Sequence, residues 1–230
     1  MKKLTNIIVL ALLCIFAYGS QLTAQTRDVG AFSAISASGS VEVKLEKADQ
    51  PSIKYKMTRG NSDDLITKVD KGTLKVYIKQ SWGIKKNAKA KVIVYYTELN
   101  DISASAGSSV VTDEVIQSGS MELDVSSGAS MRVAIDASAA DISASSGASV
   151  RVEGNARMAE IDASSGASIS ASDLIAADVE VDASSGASVS CHATKSIEAE
   201  ASSGGSVSYD GNPEQKEISK NYSGSVTPRN

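Results

Sequence analysis

Apolar and polar residues alternate with a period of two through much of the chain. In residues 161–171, Ile161, Ala163, Ala167, Ile169 and Ala171 share one parity, while Asp162, Ser164, Gly166, Ser168 and Ser170 share the other. Successive side chains of a strand point to opposite faces, so this pattern predicts β-strand with one buried face. The same division recurs at Leu123, Val125, Ala129, Met131 and Val133, and at Val181, Ala183, Ala187, Val189 and Cys191. Apolar spacings of three and four, which a helical solenoid needs, are absent from these stretches.

The alternation is carried by a repeat. ISASAGSSV, LDVSSGASM, ISASSGASV, IDASSGASI, VDASSGASV and AEASSGGSV align on glycines at 107, 128, 147, 166, 186 and 204, spaced 21, 19, 19, 20 and 18. Six copies with a period near 20 predict a solenoid. The segments between copies, such as EGNARMAE and SDLIAADVE, are too short for a crossover helix. Each coil is therefore strands and turns, and equivalent segments stack as parallel strands about 4.8 Å apart. SSG is the corner, where Gly tolerates a bend. Parallel crossovers are overwhelmingly right-handed, so the expected fold is all-β, a right-handed parallel β-helix.

Before the repeats, VEVKLEK, SIKYKM, LKVYIKQ and KVIVYY also alternate but carry larger side chains, and they are expected to continue the helix. Lys71-Gly72 reads as a hairpin turn, and SWGIKKNAKA (Ser81 to Ala90) as an exposed loop. After the repeats, GNPEQKEISKN breaks the pattern and is expected to cap the last coil, because an open β-helix end invites edge pairing. The layout is thus a leader over 1–25, one domain over 26–210, divided into a basic part (29–100) and repeat coils (101–210), and a cap over 211–230.

Composition adds two points. The chain has one Trp, two Phe and three Pro, too few aromatics for a thick globular core but enough for stacked β layers with small side chains. Lys2 and Lys3, the apolar run from Ile7 to Ala17 and the small residues from Gly19 to Ala24 have the layout of a secretory signal peptide. The run is too short to span a bilayer. Cys14 ends a lipoprotein-like Leu-Ala-Leu-Leu-Cys, although Leu13 is a poor fit there. Once the leader is removed, Cys191 is the single cysteine, so no internal disulfide can form.

The residues Val29 to Val43 (VGAFSAISASGSVEV), the Gly72-Thr73-Leu74-Lys75-Val76 that precedes a Lys-rich loop, and the serial SSGAS corners together resemble the GIN-domain family. These are adhesin head domains of exported proteins from Bacteroidetes-type bacteria. The resemblance runs from about Val29 to Ser208. It implies a right-handed β-helix and no established enzymatic activity, and it carries no functional residue over to this chain.

Charge divides the molecule. Residues 29–100 hold 13 Lys or Arg against 7 Asp or Glu, whereas residues 101–210 hold 4 against 17. Asp101, Glu122, Asp141, Glu160, Glu180 and Glu198 each occupy the same repeat position. Asp124, Asp162, Asp182 and Glu200 form a second partial row, interrupted by Ser143. Stacked on successive coils these become an acidic stripe, which either serves as a solvated face, holds Ca²⁺ through oxygen ligands, or meets a basic partner. Trp82, Lys85, Lys86 and Lys89 form a candidate basic and aromatic loop for a sugar or lipid headgroup.

Catalysis is not expected. A glycosidase pair departs from repeat positions and has one desolvated carboxyl, while these carboxylates follow the repeat. Arg132 and Arg151 form a surface ladder, and Cys191 and His192, as strand neighbours, point apart. No cofactor is expected, and export and acidity argue against nucleic acid. The expected function is a non-catalytic surface or periplasmic binding module for a glycan or cell-surface protein. The alternative is a scaffold that self-assembles through its oppositely charged halves.

Overall fold

A computed structural model describes residues 25–79 and 87–229. The expected leader and Trp82, Lys85 and Lys86 lie outside the described residues. The chain forms a parallel β-solenoid of about 7 turns with roughly 19 residues per turn. Its strands are β1 (Gln25–Asp28), β2 (Ala34–Ser38), β3 (Val41–Lys47), β4 (Ser52–Arg59), β5 (Leu65–Asp70), β6 (Thr73–Ile78), β7 (Lys89–Tyr96) and β8 (Asp101–Ser105). Five long strands follow, each wrapping most of a coil: β9 (Ser109–Val125), β10 (Ser130–Ala144), β11 (Ser149–Ala163), β12 (Ser168–Ala183) and β13 (Ser188–Ala201). The chain ends with β14 (Ser206–Asp210), β15 (Gln215–Lys220) and β16 (Ser225–Pro228).

Parallel register brings like residues together. Val110, Met131, Val150, Ile169, Val189, Val207 and Val226 form one interior column, and Ile102, Leu123, Ile142, Ile161, Val181 and Ala199 another. Every member of both columns is buried. A third column of Ala104, Val125, Ala144, Ala163, Ala183 and Ala201 keeps the interior narrow beside the corner.

The corners are two-residue turns with both central residues in the left-handed region. At one of them Ser146 has φ 54 and Gly147 φ 70, and the Ser–Gly pairs at the other repeats match it closely. The Ala148 N–H donates to the Ser145 carbonyl at 3.1 Å, closing the turn, and the Gly147 N–H donates to Ser165 of the next coil, also at 3.1 Å. Glycine therefore accounts for only half of the bend. A serine accepts the other strained position, and the corner-to-corner bonds form a ladder of their own.

The N-terminal strands join the stack, but out of chain order. β2 and β3 form a coil that lies between β6–β7 on one side and β8–β9 on the other. The chain thus lays down an inner coil first, runs outward, returns as the outer coil, and then passes over the first to begin the repeats. β4 and β5 pair antiparallel with β7 and β6 and close that end. Lys71 (φ 51) and Gly72 (φ 81) make the tight β5–β6 turn that their sequence predicts. Lys89 and Ala90, read from sequence as loop, belong to β7 because Ala90 fills an interior position opposite Val41.

Residues 215–228 are laid down as one more coil, with β15 on β13 and β16 on β14. Its corner, Tyr222-Ser223, has the same pair of positive φ values as the others. The pattern breaks in the sequence because the inward register is occupied by Lys216, Ile218 and Lys220, opposite Ile197, Ala199 and Ala201. The Lys220 Nζ donates to the Val226 carbonyl at 2.9 Å, across the mouth of the coil. The other end has a counterpart. Arg27 lies opposite the buried Ile53 and donates to the Leu65 carbonyl (3.1 Å), Thr67 Oγ1 (2.9 Å) and the Tyr55 hydroxyl (2.8 Å), with its guanidinium 4.4 Å from the Tyr55 ring centre.

Candidate functional site

The stretch of each coil that precedes the corner carries the acidic stripe. Asp101, Glu122, Asp141, Glu160, Glu180 and Glu198 are register partners in unbroken succession, and Glu217 of the last coil adds a seventh. Sequence reading missed Glu217 because the repeat signature has faded there. Two residues on, Ser103, Asp124, Ser143, Asp162, Asp182, Glu200 and Ser219 form the second row. A shallow groove of about 270 Å³ runs along this face between Asp124, Asp162 and Asp182 on one side and Ser145, Ser164 and Ser184 on the other.

Burial and stacking make three of these carboxyls, Asp101, Glu160 and Asp162, resist ionisation. At Glu160 the largest cause is the negative Asp141, followed by burial and by Glu180, Asp162 and Asp182, and its pKa is raised. Burial leads at Asp162, with Asp182, Asp141 and Glu180 adding to it. Asp101 is likewise raised by burial first, then by Glu122 and Asp124. Among the described residues no member of either row has an ion-pair partner. Nor does any group of three or more His, Cys, Asp or Glu side chains converge there on a point where a metal ion would sit.

The stretch that follows the corner carries scattered charges of both signs along the repeats and a cluster of lysines at the N-terminal end. Ser109, Ser130, Ser149, Ser168, Ser188, Ser206 and Ser225 align on it, and the Ser130 hydroxyl lies 3.1 Å from that of Ser109. Arg132 and Arg151 are register partners, as the repeat predicts, and Arg151 pairs with Asp173. At the end of this face, Lys44, Lys54, Lys56, Lys89 and Lys91 line a groove of about 690 Å³ whose floor includes Ile93 and Val111. These lysines are contributed by β3, β4 and β7, which is why no local motif announces the group, although the sequence singles out Lys89. Of the candidate basic loop, only Lys89 is among the described residues, and it belongs to this groove.

The Cys191 thiol is buried and pushed up to about 12, chiefly by desolvation. It is a core residue in register with Ala171 and Tyr209. A thiol so held is not a nucleophile at neutral pH.

Three solved structures share this architecture. A "putative adhesin" from Bacteroides fragilis superposes with a TM-score of 0.82 at 20% identity, covering 91% of this chain and 98% of its own. A "putative adhesin" from Parabacteroides merdae gives 0.72 at 18%, covering 92% and 98%. A "Putative lipid binding protein" from Parabacteroides distasonis gives 0.70 at 21%, covering 90% and 96%. At such identities the likeness is one of fold. No curated protein matches the chain. The family description "Putative auto-transporter adhesin, head GIN domain" matches residues 31–213, and the chain belongs to that family.

Proposed function

We propose that this protein is an exported, non-catalytic binding module, an adhesin that engages a glycan or a cell-surface protein through the pre-corner face. One observation carries the reading: seven carboxylates stand in register with no counter-ion among the described residues, beside rows of serine hydroxyls. A rigid array of this kind presents the same weak contact many times, so affinity accumulates along the axis. Membership of an adhesin family agrees with such a role. The carboxylates keep to repeat positions, whereas a catalytic pair needs two environments that drive its members apart.

A glycan array probed with the purified mature chain, with and without calcium, tests this. The expected result is a set of bound glycans that is lost when Glu160, Glu180 and Glu198 are changed to Gln. Binding unaffected by those changes would move the site elsewhere. Calcium-dependent binding, or a rise in melting temperature at millimolar calcium, would assign the ladder a metal.

A second reading is favoured by the segregation of charge, a basic N-terminal part against acidic coils. In it, copies assemble through their opposite charges and the protein is a scaffold. Such association dissolves as salt rises.

A further inference from the structure

We infer that the lysine groove receives the carboxylate ladder of a second copy of this chain; this rests on the self-assembly reading and names both surfaces. The groove is a small grid. Lys56 and Lys91 are register partners on β4 and β7, Lys54 and Lys44 flank Ile93 on either side, and Lys89 lies two residues from Lys91. Lys91 is paired with Glu42 (2.9 Å), and Lys44 with Glu46 and Asp113 (3.1 and 3.0 Å). Lys54 faces the Tyr95 ring at 5.6 Å. Among the described residues Lys54, Lys56 and Lys89 have no carboxylate partner.

The matching surface is the densest part of the ladder, Glu160, Asp162, Glu180, Asp182, Glu198 and Glu200, two carboxylates on each of three successive coils. Both surfaces are β lattices. Charges recur about 4.8 Å apart across strands and about 6.7 Å apart at every second residue along one, so the rows of one can face the rows of the other without distortion. Within one molecule they cannot meet, because the ladder precedes the corner of each coil and the lysines of β3 follow it. The contact joins two different surfaces. Each copy added leaves one of each free, so the assembly grows beyond a dimer until a ring closes.

Sedimentation of the mature chain at about 0.01 M salt is expected to show species that grow with concentration and return to monomer near 1 M salt. Lys54→Gln/Lys56→Gln/Lys89→Gln keeps the ladder and loses the groove; Glu160→Gln/Glu180→Gln/Glu198→Gln does the reverse. Each alone is expected to be monomeric, and their mixture to stop at a one-to-one dimer, which also proves both folded. A native chain that stays monomeric at low salt overturns the self-assembly reading and this inference together. Native-like growth of the lysine variant overturns only the assignment of surfaces. A monomeric native chain that binds a sulfated polysaccharide through these lysines would give the groove to a linear polyanion instead.

Discussion

The two ends of this solenoid solve the same packing problem differently. The repeat coils are laid down in chain order around a narrow interior in which alanine fills one column at every coil but that of Val125. The N-terminal end is folded out of order around Leu45, Leu74, Tyr55 and Tyr96, all buried, and is finished by antiparallel strands. A repeat coil depends only on its two neighbours. The β2–β3 coil is held between coils from later in the sequence, so it depends on chain that has yet to fold.

The sharpest way to break this contrast is excision. Removing residues 149–167 brings Ser168 to the register position of Ser149, and the shortened chain is expected to remain folded with a single cooperative melting transition. Removing residues 34–47 takes out the coil on which both β6–β7 and β8–β9 are built, and circular dichroism is expected to show no cooperative transition. Should both deletions melt alike, the two ends do not differ in the way proposed.

Side-chain truncation comes next in size. Leu45→Ala, in the wide part of the core, is expected to cost about 3 kcal/mol in denaturant unfolding. Ala163→Gly, in the narrow part, is expected to cost about 1 to 2 kcal/mol from the lost methyl and the freed backbone. Arg27→Ala strips four hydrogen bonds, to the Leu65 and Ser62 carbonyls and the Thr67 and Tyr55 hydroxyls, from the N-terminal mouth and is expected to cost about 2 kcal/mol.

The smallest effect has the opposite sign. Glu160→Gln with Glu180→Gln relieves repulsion on the ladder and is expected to stabilise by a few tenths of a kcal/mol at low salt, vanishing as salt screens it. The native chain carries the same signature in its pH dependence. Asp101, Glu160 and Asp162 are raised in the fold, so between the ordinary carboxylate value and the raised one the folded state holds more protons. Their contribution to stability therefore falls as pH rises through that window. Melting temperature is expected to climb as pH drops from neutral to just above the ordinary carboxylate range, and less so in the double variant.

Much of this was legible in the residues, for identifiable reasons. Strand alternation and a corner that recurs every coil determine which side chains stack, so the interior columns and the first six carboxylates could be aligned by eye. The coil order at the N-terminal end was only partly so: the Ile-Ser-Ala-Ser of β2 recurs in β8 and pairs with it residue for residue, but β6 (TLKVYI) lacks that signature, so nothing in the residues placed it on the other side of β2. The lysine groove escaped notice because its members come from three strands that are adjacent only in space. Residues 215–228 read as a departure from the pattern because lysines stand where the coil rule calls for apolar side chains; the backbone nevertheless keeps the rule.

Those lysines have a further meaning. With Arg27 at one mouth and Lys216 and Lys220 at the other, any molecule stacked on top would have to bury cations where its own interior offers only hydrocarbon. The column is thereby finite in length, sealed against growth along its axis. Company for this protein has to arrive from the side.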